Sequence, residues 1–482
     1  MRVATPWLAV AVLAIAGCNG PRNLGIPDDG GGGGGDGGGG SGDGGSGDGG
    51  GSGSTAITIR AFADGVPTFT GVTENVPLLA FQDGDGAWTP LTGTGGVYHA
   101  TATGARYGVA VGCADPDGSL TVYYQAVSDA TELPVQACFH LPDDPANITV
   151  NLQNADGRQS VVSVGVNSRS VMGSGSATMA VAKQKADVFV ATQIGPDGSA
   201  TDPRALRSVT LDVSADAALG VDVSAALPLE SHALTIVDAQ PGGSVETFAQ
   251  VLSQFYTQYS FGPRELFHDT LTPNLPLTAT ASYRTPAAAM RLPGEIMYAL
   301  ARTSGNTAAG VGYTRDAIVQ TANVASLTLT LPEIVIADPP TVDDAAIPRA
   351  TATLPIRPAA LGHAIYDASF STSTAQTSRV VDVQIRPGWA QGQSTVTVTT
   401  PDLSGVAGWT TDMALLPGVN VGWTLLIDDR NVTLETPVRD GKRILQSSLS
   451  GTIERTAPVA GRSAQPARRA ADALRRIERL AR

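Results

Sequence analysis

Val419-Asn420-Val421-Gly422-Trp423-Thr424-Leu425-Leu426-Ile427 sets Val419, Val421, Trp423, Leu425 and Ile427 two residues apart. Successive side chains of a strand point to opposite faces, so this spacing gathers the five apolar groups on one face of a half-buried strand. The period recurs. Tyr107, Val109, Val111 and Cys113 share a face, as do Val396 and Val398 in the Thr-rich run before Pro401. Gly, Pro and Asp turns bound these runs, while long capped segments of 3.6-residue period are almost missing. Val245 to Tyr259 is the one ambiguous stretch. There Phe248, Leu252, Phe255 and Tyr259 fit a helical stripe, but the Thr and Tyr content favours a strand. Closely spaced strands with turns between them predict an all-β chain of tandem antiparallel β-sandwiches.

The 482 residues carry 44 Asp+Glu against 31 Lys+Arg, a net charge of −13. A nucleic-acid binder needs a basic field to displace counterions from phosphates, so nucleic acid is excluded as a partner class. With 42% hydrophobic residues, the chain has the apolar surface to build cores. It contains no run of the roughly 20 apolar residues that a spanning helix requires. Aromatic residues amount to 5%, which argues against the girdled wall of an outer-membrane barrel.

At roughly 150 residues per domain, the body of the chain holds about three modules. The expected division is a signal segment 1–17, a linker 18–54, a first module 55–145, one or more modules in 146–340, a third in 341–461 and a basic tail 462–482. Pro142-Asp143-Asp144-Pro145 and Pro339-Pro340-Thr341-Val342-Asp343-Asp344 punctuate the junctions, with a further joint near Pro241-Gly242-Gly243. Asp156-Gly157, between apolar stretches, resembles the transthyretin-like modules of carboxypeptidase regulatory regions. That likeness implies Ig-like or transthyretin-like sandwiches and carries no function.

Arg2 precedes an apolar run from Trp7 to Gly17, short for a span but right for the h-region of a secretory signal. The run closes on Ile15-Ala16-Gly17-Cys18, which resembles the lipobox of bacterial lipoproteins: an aliphatic residue, two small residues and the cysteine that receives the lipid. The resemblance implies removal of the signal, acylation of Cys18 with palmitate-type chains and membrane attachment. Three chains, at about 0.8 kcal/mol per buried methylene, make such attachment effectively permanent. Asn19 follows the cysteine, where aspartate would favour inner-membrane retention. The resemblance therefore implies a cell-envelope protein anchored in the outer membrane.

Residues 30–54 comprise 18 Gly, 4 Ser and 3 Asp. A chain of that composition is a flexible coil with a reach of roughly 25 to 30 Å, and about 80 Å when drawn straight. Asp36, Asp43 and Asp48 resemble calcium-binding nonapeptide repeats only in their glycine setting, because the recurring aliphatic position is missing. The segment reads as a spacer.

With Cys18 acylated, Cys113 and Cys138 remain as an even pair in an oxidising compartment. A disulfide between them closes a loop of about 25 residues and adds around 3 kcal/mol. Both sulfurs must lie on facing sides of their strands for it to form. Chemistry is harder to find. His99, His140, His232, His268 and His363 include no pair at ligand spacing, so no metal site or cofactor is expected. Gly173-Ser174-Gly175-Ser176 lacks the register of a nucleophile elbow. Asp83-Gly84-Asp85-Gly86 and Asp115-Pro116-Asp117-Gly118 lack the downstream Glu of a calcium loop and read as hairpin turns. Adjacent Asp343 and Asp344 would point oppositely on a strand and read as a solvated junction. No catalytic residue is assigned.

Trp423 belongs to an apolar face, whereas Trp409 follows Gly408 near a turn and is the candidate for stacking on a ligand such as a sugar ring. From Arg462 to Arg482 seven arginines face two acids. Ala470, Leu474, Ile477 and Ala481 make a narrow stripe, so a short amphipathic C-terminal helix is expected there. The expected function is a membrane-anchored envelope lipoprotein serving as a non-catalytic binding or structural module. Its expected partners are the membrane, through the N-terminal lipid, and an envelope protein or polysaccharide. The alternative is a secreted hydrolase acting on polysaccharide through carboxylates that converge only in three dimensions.

Overall fold

The computed structural model describes residues 54–455, except 65–72, 115–117, 140–144, 156, 158, 166, 184, 195–202, 239–247, 257–263, 272–277, 292–294, 323–324 and 433–439. The expected lipobox with Cys18, the expected spacer through residue 53, Asp115 to Asp117, His140, the 142–144 and 241–243 joints, Asp156 and the tail with its expected helix lie outside the described residues. Every extended element is a strand. Pattern and fold agree because, with no α-helix among the described residues to cover them, the apolar faces that a period of two creates are buried sheet against sheet.

Sandwich I comprises β1 (Thr55–Asp64), β2 (Leu78–Asp83), β3 (Thr89–Pro90), β4 (Val97–Ala102), β5 (Arg106–Cys113), β6 (Gly118–Ala126) and β7 (Glu132–Phe139). One sheet runs β4-β1-β7 and the other contains β3-β2-β5-β6. Ile57, Ile59, Tyr98, Leu133 and Val135 meet Phe81, Tyr107, Val109, Val111 and Tyr123 between them. The alternation in β5 therefore faces the core as its sequence predicts. Sandwich II comprises β8 (Ala146–Gln153), β9 (Gln159–Val164), β10 (Asn167–Met172), β11 (Ser176–Val181), β12 (Lys185–Ile194), β13 (Arg204–Asp212), β14 (Ala217–Asp222) and the short β15 (Leu227–Pro228). Its sheets are β11-β8-β14 and β10-β9-β12-β13-β15.

Sandwich III begins with β16 (Glu230–Val237) and β17 (Phe248–Tyr256), so the described part of the ambiguous stretch is a strand. It continues through β18 (Arg264–Leu271), β19 (Thr278–Thr285), β20 (Ile296–Asn306), β21 (Gly312–Thr321) and β22 (Leu327–Thr330), with β19-β16-β22 facing β18-β17-β20-β21. Sandwich IV comprises β23 (Thr341–Val342), β24 (Ala350–Pro355), β25 (His363–Ser373), β26 (Ser378–Ile385), β27 (Thr395–Thr399), β28 (Val421–Arg430) and β29 (Arg443–Ile453). Here β23-β24-β27 faces β29-β28-β25-β26.

Sandwiches I to III share one order. The fourth, first and seventh strands form the small sheet, and the third, second, fifth and sixth form the large one. This is the transthyretin-like arrangement. Consecutive strands alternate in direction, so the first and seventh point the same way and must pair parallel once they lie side by side. Accordingly β1/β7, β8/β14 and β16/β22 are parallel pairs within an otherwise largely antiparallel architecture. Sandwich IV instead keeps its first, second and fifth strands together against the rest, an immunoglobulin-like order.

The large sheets do not end at the sandwich limits. β29 pairs with β21 of sandwich III over eight residue pairs, Gly312↔Ser450 to Val319↔Arg443. On its other edge β26 runs parallel to β6 of sandwich I, from Arg379↔Gly118 to Ile385↔Tyr124. A single 12-stranded sheet results, with sandwich IV in the middle. Around the second seam, Leu120, Val122 and Tyr124 of β6 join Tyr366, Phe370, Val383, Trp389, Met413 and Trp423 in one buried cluster. β6 is thus covered on both faces, by its own small sheet and by sandwich IV.

Candidate functional site

In β28, Val421, Trp423 and Leu425 enter the core of sandwich IV. The intervening Thr424, Leu426, Asp428 and Arg430 point to the other face of the sheet. The same alternation turns Ile365, Asp367 and Ser369 of β25, Asp382 and Gln384 of β26, and Gln446 and Ser448 of β29 to that face. Cross-strand register sets them side by side. Asp367 lies opposite Gln384 on one neighbour and Leu426 on the other, Asp382 lies opposite Ser369, and Asp428 lies opposite Ile365 and Gln446. Asp382 and Asp428 therefore occupy the two diagonals from Asp367, each at about 7–8 Å between backbone positions.

The face is polar yet enclosed. Asp367 is 6% exposed and Asp428 3%, whereas Asp382 keeps part of its surface open. Buried carboxylates persist only with partners. Asp428 receives Arg430 Nε at 2.8 Å and Nη2 at 2.5 Å, and Gln446 Nε2 donates to it at 3.0 Å. Across the seam with sandwich III, Asp316 stands opposite Gln446 and is gripped by Arg302 Nε and Nη2, both at 2.6 Å. On the reverse side of that strand, Arg315 makes a second buried fork to Asp238, at 2.8 Å for each nitrogen.

Asp367 and Asp382 are served differently. Their partners are neutral, Gln384 for Asp367 and Ser369 for Asp382. Burial pushes the Asp382 carboxyl up to about 6, with the Ser369 hydroxyl pulling the other way. Burial also holds Asp367 well above the usual carboxylate range, and the neighbouring charges of Asp382 and Asp428 push in the same direction. Two like charges so placed favour a shared proton. One member then donates a hydrogen bond and the other accepts, which suits a hydroxyl-rich ligand and is also the equipment of acid–base hydrolysis. Among the described residues no group of three or more His, Cys, Asp or Glu side chains could hold a metal ion.

Cys113 and Cys138 form the expected disulfide, with Cα atoms 5.5 Å apart. It ties β5 of the long sheet to β7 of the small sheet, so the two sulfurs do face each other across the core. Trp423 is a core residue and Gly451 makes room for it, since a Cβ there would meet the indole at 2.8 Å. Trp409 is half-buried and packs against the core of sandwich IV, on the side of the sheet away from Asp367 and Asp382. The structure does not bring Trp409 and the carboxylates into one site. Gly84, at φ +56°, turns the chain between β2 and β3, while Asp83 accepts from Thr103 N at 3.0 Å and Asp85 pairs with Arg106. Asp343 accepts from Arg349 N at 2.9 Å, and Asp344 pairs with Arg455.

Sequence reasoning missed Asp367, Asp382 and Asp428. A signal existed: each stands inside a strand run of Val, Ile, Leu, Tyr or Phe, where aspartate is rare unless it is partnered. It also missed an aromatic group joining sandwiches I and IV. Tyr124 lies 4.5 Å from Trp389 and 6.3 Å from Trp88 between ring centres, and Arg106 caps Trp389 at 4.7 Å.

No family model matches the chain, and no curated protein matches it. Among solved structures, that of a candidate adhesin from Bacteroides ovatus aligns over 41% of this chain and 98% of its own, at 7% identity and a TM-score of 0.16. So loose a superposition carries no argument. The strand orders themselves define the class, an all-β protein of tandem sandwiches.

Proposed function

We propose that this chain is a lipid-anchored protein of the bacterial outer membrane that serves as a non-catalytic binding or structural module for an envelope protein or polysaccharide. The 12-stranded sheet carries the reading. Three sandwiches share one continuous set of backbone hydrogen bonds, which makes a broad rigid platform and not a pair of lobes hinged about a cleft. Asp428 and Asp316 are consumed by internal forks, as expected of groups that hold a platform together. The lipobox and glycine spacer support the anchoring, and the half-buried Trp409 on the far side is the stacking residue that the sequence offers. Cys18→Ala is expected to move the protein from the membrane fraction to the soluble fraction of lysed cells. Firm retention of that variant in washed membranes would remove the anchor from the proposal.

A second reading rests on one observation, the paired Asp367 and Asp382 with displaced ionisation. It makes the chain a polysaccharide hydrolase with these two groups as acid and base. Envelope polysaccharide incubated with parent, Asp367→Asn and Asp382→Asn separates the readings. Binding without cleavage in all three supports the module, whereas cleavage by the parent that both variants lose installs the hydrolase.

A further inference from the structure

The chain enters sandwich I at Thr55 and leaves it at Phe139. These two points terminate a parallel pair, in register from Thr58↔Glu132 to Asp64↔Phe139. In a parallel pair the start of one strand lies beside the start of the other, so Thr55 and Phe139 sit at opposite ends. Tension along the chain then drags the two strands past each other lengthwise. Every ladder hydrogen bond resists at once, whereas an antiparallel first and last strand would be peeled apart one bond at a time. The device repeats. Sandwich II sets β8 beside β14 from Ile148↔Ala217 to Gln153↔Asp222, with only the two-residue bridge of β15 to β13 to peel away before that pair takes the load, and sandwich III sets β16 beside β22 from Leu234↔Leu327 to Val237↔Thr330.

We infer that sandwiches I to III act as mechanical clamps in series, which let the chain hold under tension between its amino-terminal attachment and whatever its platform grips. Sandwich IV is built otherwise: its first strand pairs only with its second, and its last strand lies in the opposite sheet. It contributes the seam instead, since β26 beside β6 ties it across sandwich I until the pulling force parts them. The Cys113–Cys138 bridge adds a stop, because a sandwich I that has given way cannot extend through the residues enclosed by the bond. The inference uses the proposed anchoring only as the source of tension, and its test reads the mechanics without any lipid.

Single-molecule stretching of the unlipidated full-length chain provides that test, with one handle on the Cys18 thiol and the other on the carboxyl terminus. Sandwich I is identified by reduction, which lengthens its event by the 25 residues of the loop, or about 85 Å of extended chain. A second chain takes its handles at Cys18 and at Glu132→Cys, an exposed position at the same end of the pair as Thr55. Thr131→Cys, also exposed, serves equally should loss of the Arg60 contact disturb the fold. End-to-end pulling is expected to need a several-fold higher force on sandwich I than pulling from the shared end. Equal forces in the two geometries, or no event at higher force than that of sandwich IV, would overturn the inference.

Discussion

Ionising Asp382 inside the sheet costs folding free energy that an exposed aspartate does not, because burial holds its carboxyl up to about 6. The folded chain grips this proton more tightly than the unfolded chain, whose aspartates titrate near 3.9. The stability contributed by the neutral form is complete below about pH 4 and is lost as pH rises through about 6. Asp382→Asn keeps the shape and removes the titration. The variant is expected to exceed the parent by about 1–3 kcal/mol at pH 8 and to equal it at pH 4. Urea unfolding at the two pH values checks this, and a difference independent of pH would dismiss the buried charge. The pair itself was not legible in the sequence. Asp367 and Asp382 come together through the diagonal of a hairpin register, which no linear spacing reveals. Cys113 and Cys138 were legible because they are an even pair with no histidine or further cysteine at ligand spacing, which leaves a disulfide as their ordinary use.

Strands were the most readable level. Val421, Trp423 and Leu425 predict their own burial, and so do Tyr107, Val109 and Val111. The reverse faces of the same strands mislead, because Thr424, Asp428 and Gln446 look like solvent-facing residues and are enclosed. Merging of neighbouring sheets is decided by edges, and edge pairing leaves little trace in the apolar period. Gly118 marks one such edge. It opens β6 opposite Arg379 of β26, and a Cβ there would lie 1.7 Å from the backbone oxygen of Asp412, whose side chain pairs with Arg379. Backbone on the far side of that gap cannot swing away as a long side chain can. Gly118→Ala is expected to loosen the seam at a cost of about 2–3 kcal/mol. Hydrogen exchange would register the change as faster exchange in β26 and β6, with β8 to β14 unaffected; unchanged exchange across the seam would refute the crowding.

Over the whole molecule, one topology occurs three times in succession, yet the sequence betrays no repeat. A sheet demands only alternation and turns, so unrelated side chains fill the same scaffold. The fourth unit breaks the pattern and caps two open edges, β6 of sandwich I and β21 of sandwich III. A chain ending at residue 340 keeps sandwiches I to III but leaves both edges bare. It is expected to self-associate through them at concentrations where the full chain stays monomeric. Light scattering of the two proteins decides the matter, and a monodisperse truncated chain would contradict the capping role.

That keystone position has a cost in time. Synthesis runs from the amino end, so β6 and β21 emerge long before β26 and β29 exist to meet them. The nascent polypeptide travels with two sticky flanks, and its completion depends on contacts between residues more than two hundred positions apart in β6 and β26. The strands of sandwich IV are therefore the ones for which both waiting edges stay open.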